Sequence, residues 1–229
     1  MKGYGQFCPV AKASEVLAER WTPLVLRELL CGSHRFNELQ RGVPLMSKSL
    51  LAKRLRELED AGIVERRSIR GDRRAQEYHL TPAGKELRPI IESLGTWAQR
   101  WIVADVQEDD LDSSLLMWDV RRNLNRESLP DRQVVIEFEF TDVSGAHRRW
   151  WLLVDPEEAD LCVTDPGFEV DLKVTTTLRA LTCYWVGRAT WRDLLAGDLQ
   201  LEGPRWLQRS LPKWLGRSAF AGVPHHSST

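Results

Sequence analysis

Apolar positions recur along this chain at two different spacings. From Pro9 to Ile102 they keep helical intervals, broken by one short alternating stretch; from Val134 alternation takes over, and helical spacing returns at Leu178. The first part reads as a series of helices. Pro9 suits a first helical turn, which puts Cys8 at the N-cap of a helix running to about Glu19, with Val10, Ala13, Leu17 and Val16 on its apolar side. Trp21–Cys31 follows, with Pro23 in its first turn and Leu24, Val25, Glu28 and Leu29 in register; Cys31 reads as core. Ser33 can cap a shorter helix that buries Phe36 and Leu39 and ends at Gly42. Ser47 then caps a helix to Ala61, stopped by Gly62.

That fourth helix has two unlike faces. At ~100° per residue Leu50, Leu51, Leu55 and Leu58 share one arc. Ser49, Ala52, Lys53 and Arg56 occupy the other, with Lys48 at its edge. Arg54 projects into the apolar arc, so it is expected to pair with Glu57 or another acid, or to snorkel outward. Two strands follow, Val64–Ile69 and Gln76–Leu80, joined by the basic tip Arg70, Gly71, Asp72, Arg73 and Arg74. Helix, helix and a basic hairpin, in that order, spell a winged helix-turn-helix that presents cations to DNA. The plainer alternative is a small α+β domain with a solvated charged face. Thr81-Pro82 restarts helical spacing, and Leu87, Ile90, Ile91, Leu94, Trp97, Ala98, Trp101 and Ile102 form a long stripe, kinked at Pro89. It exceeds what a winged domain needs, so dimerisation through it, or docking on a second domain, is expected.

Specific motifs carry a resemblance. CPV at 8–10, RWTPLVLRELL at 20–30, RFNEL at 35–39, the S-x-S-L-L-x-x-R-L-R-E-L-E-x-A-G-I-V-E-R run at 47–66 and Y-x-L-T-P-A-G-K-E-L at 78–87 resemble the HxlR family, a branch of the MarR-like winged-helix regulators. The resemblance implies a homodimeric transcription factor bound to double-stranded DNA. Ser47, Lys48, Ser49, Lys53 and Arg56 would face the groove, and Arg70, Arg73 and Arg74 would be wing contacts. Some relatives use the cysteine matching Cys8 as a thiol switch, which makes Cys8 a candidate redox residue.

The second half begins after an acidic stretch, Asp105–Asp112, that reads as a linker. Ser113 to about Arg126 is helical. In Val134–Thr141, Ile136, Phe138 and Phe140 alternate with Glu137 and Glu139, which predicts one buried and one wet face. Turns at Ser144-Gly145, Asp155-Pro156 and Asp165-Pro166-Gly167 predict an antiparallel meander through Arg149–Val154, Ala159–Thr164 and Phe168–Thr175. Helices follow around Leu178–Val186, Trp191–Leu195 and Pro204–Leu215, with a short strand at Leu199–Leu201. The expected class is α+β: a winged helix-turn-helix domain at 1–105, a second domain at 113–221 with helices on one face of its sheet, and a disordered tail at 222–229. The segments D-L-K-V-x-x-x-L-x-x-L-x-x-x-W-x-G at 171–187 and L-L-x-G-x-L-x-L-x-G at 194–203 resemble sterol-carrier-protein-2-like domains. That resemblance implies an apolar tunnel for a lipid-like effector. Phe138, Phe140, Trp185, Trp191, Trp206 and Trp214 are the candidate lining, with plain core as the alternative for each Trp.

Charge sharpens the division. Residues 1–105 hold 18 Lys and Arg against 13 Asp and Glu, a net +5; residues 106–229 hold 14 against 20, a net −6. The basic half is the one suited to phosphate. The four cysteines are widely spaced, so neither a zinc site nor a disulfide framework is expected. No apolar run reaches the ~20 residues of a membrane span, and the start lacks a signal-peptide core, so a cytoplasmic protein without membrane insertion is expected. No phosphate loop, G-x-S-x-G or H-E-x-x-H is present, so neither catalysis nor a cofactor is expected. These features together predict a homodimeric DNA-binding repressor with an apolar effector in its second domain. The alternatives are a thiol sensor acting through Cys8, and a lipid carrier whose winged domain binds protein.

Overall fold

Capping residues set where most helices start. In the computed structural model, which describes residues 3–69, 72–102, 105–128 and 131–226, the first two helices are α1 (Pro9–Leu17) and α2 (Thr22–Leu30). In α1 only Val16 and Leu17 pack against the core. Val10 and Ala13, expected on the buried side, are exposed, Val10 at 72%. Cys31 is likewise exposed, because α2 ends at Leu30 and Cys31 serves as its C-cap, two residues past the buried Leu29. Helix α3 (Phe36–Gly42) starts later than a Ser33 cap would allow. The Glu38 carboxylate accepts from the His34 N–H (2.9 Å) and the Arg35 N–H (3.0 Å), which moves the N-terminus to Arg35.

Helix α4 (Lys48–Asp60) is capped by Ser47, whose hydroxyl accepts from the Leu50 N–H at 3.3 Å. It leads into β1 (Val64–Ile69) and β2 (Asp72–Leu80), an antiparallel pair that starts earlier in β2 than the sequence suggested. Arg35 adds a single bridge to Glu77, so the wing carries a rudimentary third strand. Beyond it the expected kinked helix is two helices. α5 (Pro82–Lys85) and α6 (Arg88–Trp101) are separate because Pro89 has no N–H for the Lys85 carbonyl and its ring crowds that carbonyl. Val25, Leu26, Leu29, Leu39, Leu51, Leu55, Leu58, Val64 and Leu80 close the first core.

The chain divides into two compact units, Met1–Gly95 and Thr96–Thr229, so the division falls within α6. The acidic stretch expected as a linker has its own contacts in the second unit. Val106 is buried, and its carbonyl accepts from the Arg179 guanidinium (2.7 Å), which also pairs with Glu108.

The second unit contains α7 (Ser113–Arg122), β3 (Val134–Phe140), β4 (Arg149–Val154), β5 (Ala159–Cys162), β6 (Leu172–Thr176), α8 (Leu178–Trp185), α9 (Trp191–Ala196), β7 (Gln200–Glu202) and α10 (Arg205–Trp214). The sheet order is β5-β4-β3-β6-β7, and β6 runs parallel to β3. This corrects the expected antiparallel meander. The chain leaves β5, returns across the sheet and pairs on the free edge of β3. Asp171 starts that pairing: its N–H donates to the Val135 carbonyl, and its carboxylate accepts from the Val135 N–H, both at 2.9 Å. Of the tail at 222–229, residues 227–229 lie outside the described residues. The tail is placed as far as His226, whose N–H donates to the Arg100 carbonyl and whose ring meets Trp101 at 4.4 Å.

Alternation in β3 puts Ile136, Phe138 and Phe140 in the second core, as expected, but its other face is not wet. Glu139 is 6% exposed, and Lys173 (2.8 Å), Arg148 (2.8 Å) and Arg149 (3.4 Å) surround its carboxylate. The Lys173 ammonium, with the two arginines behind it, holds the Glu139 carboxyl down at about 2 despite burial. A depressed carboxyl contributes stability that is complete above the unfolded value and fades as pH falls through the folded one. Wild type should therefore lose on the order of 2 kcal/mol from this group between pH 4.5 and 2. Glu139→Gln should melt lower than wild type at pH 7 and show a flatter melting-temperature profile in acid; parallel profiles would refute the assignment.

Candidate nucleic-acid interface

The basic face of α4 is held outward by contacts behind it. The Arg27 guanidinium bonds the Glu28 carboxylate (2.8 Å) and the Gly42 carbonyl (2.8 Å), tying the end of α3 to α2. Glu28 is fully buried, and a Cβ at position 42 would lie 1.8 Å from its Oε2, so only glycine lets the helices meet this closely. Gln40 then fixes the turn, its amide donating to the Val43 (3.3 Å) and Met46 (2.7 Å) carbonyls. Below α4, Arg54 is 7% exposed and bonds Glu57, Glu19 (2.6 Å) and the Arg20 carbonyl (3.1 Å). It is a structural charge, as the sequence suggested.

The outward residues are those the pattern selected. Ser47, Lys48, Ser49, Lys53 and Arg56 are all exposed on one helix face, with the Ser47 and Ser49 hydroxyls 3.2 Å apart. Lys53 reaches Glu57 only at 3.8 Å, and among the described residues Lys48 and Arg56 make no ion pair. This face therefore keeps most of its charge available for an external anion. Leu45, in the turn just before the helix, is 82% exposed; hydrophobic periodicity did not flag it, because it lies between elements. Arg27, Gln40 and Gly42 were also missed as positioning residues, since nothing in their spacing announces which backbone groups they hold.

The wing is described in part. Arg70 lies outside the described residues, and Arg73 and Arg74 belong to β2 with side chains outside the description. At the wing root Arg66 pairs with Glu59 at 3.2 Å, and Arg35 with Glu77 at 3.6 Å. The hydrogen bond from His79, outweighing burial, holds the Glu77 carboxyl below its usual range.

A model of the family described as HxlR-like helix-turn-helix matches residues 16–108. The uncharacterized HTH-type transcriptional regulator YvaP of Bacillus subtilis (strain 168) is 41% identical over 98 residues, spanning 42% of this chain and 91% of YvaP. The chain belongs to the HxlR-like family. YodB of B. subtilis, another HTH-type transcriptional regulator, is 34% identical over 95 residues, 41% of this chain and 85% of YodB. The crystal structure of quinone-bound YodB is 34% identical and covers 40% of this chain and 97% of that one, at a TM-score of 0.35. The HxlR-like match thus spans the winged helix-turn-helix and α6, and α4 with its exposed basic face lies inside it.

Two other groups of candidate residues are placed as follows. Cys8 is half-buried at the N-cap of α1, where its side chain makes no capping bond. Phe138, Phe140 and Trp214 are fully buried, Trp185 nearly so, and Trp191 packs against the same core with its ring 5.4 Å from Tyr184. Trp206 departs from this group: it is 48% exposed on the outer side of α10, beneath the Arg132 guanidinium at 5.7 Å. Among the described residues no helix is long and apolar enough to cross a membrane, and no acid, His or Cys cluster could hold a metal ion.

Proposed function

We propose that this chain is an HxlR-type transcriptional repressor that binds double-stranded DNA as a homodimer. The observation that carries the reading is the α4 face: five exposed hydroxyl and cationic residues on one side, with the single misplaced cation, Arg54, withdrawn and neutralised. A helix so divided can enter a major groove with its N-terminal residues toward base edges. Lys53→Ala and Arg56→Ala should each weaken duplex binding about equally for all sequences and lower the log–log salt slope by about 1. A slope unchanged in the double variant would refute the groove assignment.

Dimerisation is assigned to α6. Ile90, Leu94, Trp97 and Trp101 recur at helical intervals and are each 51–53% exposed, a stripe that a monomer leaves in water. We assign the second unit to the sterol-carrier-protein-2-like class, with an apolar effector as its ligand. The motif at 171–203 and the aromatic core beneath the sheet support that reading. Native mass spectrometry of the purified chain tests both: a mass of two chains with a lipid-sized adduct is expected. A bare monomer at micromolar concentration would sink the dimer and leave the effector without support.

One observation favours a second reading, a thiol switch. Cys8 stands free of a cap bond at a helix N-terminus, and a relative, YodB, has been crystallised with a quinone bound. Under this reading Cys8→Ser binds DNA normally but no longer releases it on treatment with diamide or a quinone. Retention of the response by the variant would eliminate Cys8 as the sensor.

A further inference from the structure

Charge is spread unevenly over the second half of the chain. Residues 106–202 hold 10 Lys and Arg against 20 Asp and Glu, a net −10, whereas residues 203–229 hold four cations and no acid. Three of the four, Arg205, Arg209 and Lys213, stand on α10 at intervals of four residues. At ~100° per residue they fall, together with Trp206, inside one arc of ~100°. The opposite arc carries Leu207, Leu211 and Trp214, each fully buried. α10 thus keeps its apolar side inside the second unit and its cations outside it.

These cations have no structural duty. All three are exposed, and among the described residues none makes an ion pair or a side-chain hydrogen bond. The polar residues beside them are engaged within the helix end itself. The Gln208 amide donates to the Gly203 carbonyl (2.8 Å); the Ser210 hydroxyl donates to the Leu207 carbonyl (3.2 Å) and accepts from the Trp214 indole (3.2 Å). Neighbouring cations are engaged too. Arg132 pairs with Asp171 at 2.8 Å and lies over the Trp206 ring, and Arg217 lies over the Tyr184 ring at 5.8 Å. The α10 stripe therefore differs from the cluster around Glu139, where a carboxylate meets every cation.

We infer that α10 makes a second contact with duplex DNA, a sequence-independent one to backbone phosphates outside the groove that α4 enters. The inference rests on the DNA-binding reading of the first unit. Eight residues of helix carry the stripe along ~12 Å. Over that length one DNA strand, with a phosphate every ~3.4 Å of axis, presents about three or four charges. A line of evenly spaced cations suits a polymer charged at every step better than it suits isolated carboxylates on a protein. A bilayer fits less well. A helix lying in a membrane interface sinks its apolar side, and that side of α10 is spent on the core. The one apolar residue on the outer arc, Trp206, has Arg132 over its ring. The stripe also answers an electrostatic difficulty: residues 106–202, at net −10, would be repelled by a duplex, and α10 gives the unit one face that is not.

The test uses the full-length chain and a long fluorescein-labelled duplex of random sequence, with anisotropy measured across a salt series. Replacing Arg205, Arg209 and Lys213 together by Gln should lower the log–log salt slope by about 2–3, at about 0.9 per phosphate released. The three side chains are exposed and unbonded, so this variant should melt like wild type. Arg192→Gln, which removes an exposed cation from α9, should leave the slope as in wild type. The inference is overturned if the triple variant keeps the wild-type slope, or if Arg192→Gln lowers it as much per charge, since net charge alone would then be responsible. An unchanged slope, with the triple variant released from phosphatidylglycerol vesicles that hold wild type, would overturn it in favour of a bilayer. A slope that responds to Lys53 and Arg56 but not to the stripe would sink this inference and leave the proposed function standing. The reverse pattern would refute the groove assignment and uphold the stripe, and a wild-type chain that binds no duplex would refute both.

Discussion

The presentation of α4 depends on a buried charge pair that sits nowhere near its basic face. Glu28 is fully enclosed at the end of α2, and Arg27 bridges its carboxylate to the carbonyl of Gly42. Removing one partner of such a pair strands a charge in a dry site, a loss of about 3–5 kcal/mol in comparable cases. The same contact sets how close α3 comes to α2, and so where the turn at 43–46 delivers the chain into α4. Gln40 completes the arrangement by holding two carbonyls of that turn. The orientation of the helix is thus fixed from behind, leaving its front free of structural duties.

That separation solves an electrostatic problem. A helix that packs on a core and also meets a polyanion needs its cations on one side only, and α4 has one cation on the wrong side. Arg54 is accommodated by Glu19, Glu57 and the Arg20 carbonyl, so its charge is spent inside the fold. Lys48, Lys53 and Arg56 face water with at most a loose partner. The second unit treats charge differently. Its most buried carboxylate, Glu139, lies among three cations on a sheet face that simple alternation assigns to solvent. The outward cations of α4 remain available to an outside partner, whereas those around Glu139 are consumed internally.

Several departures from the sequence reading share one cause: a residue's local pattern says nothing about what arrives from elsewhere in the chain. Val10 and Cys31 look like core and are exposed: Val10 lies in the first turn of α1, whose packed residues Val16 and Leu17 are at the other end, and α2 ends at Leu30, just before Cys31. Glu137 and Glu139 look solvated, yet Arg148 from the turn before β4, Arg149 from β4 and Lys173 from β6 close over them. The parallel pairing of β6 on β3 has no local signature either, since a strand's alternation is the same whichever neighbour it takes. Trp206 shares the helical rhythm of Trp214 but is half-exposed where Trp214 is buried, because the eight residues between them rotate the helix by about 80° beyond two full turns.

Amino-acid order alone determined the identity and polarity of the pieces: the caps at Ser47 and Thr81, the two faces of α4, the hairpin with its basic tip, and the motifs by which the first half belongs to its family. These depend on interactions between residues a few positions apart, which spacing records directly. Tertiary structure alone decided which charges are neutralised, which strand neighbours which, and that Leu29, His34, Arg67, His79 and Lys85 enclose one cleft. Those residues come from five separate segments, and only folding brings their side chains together.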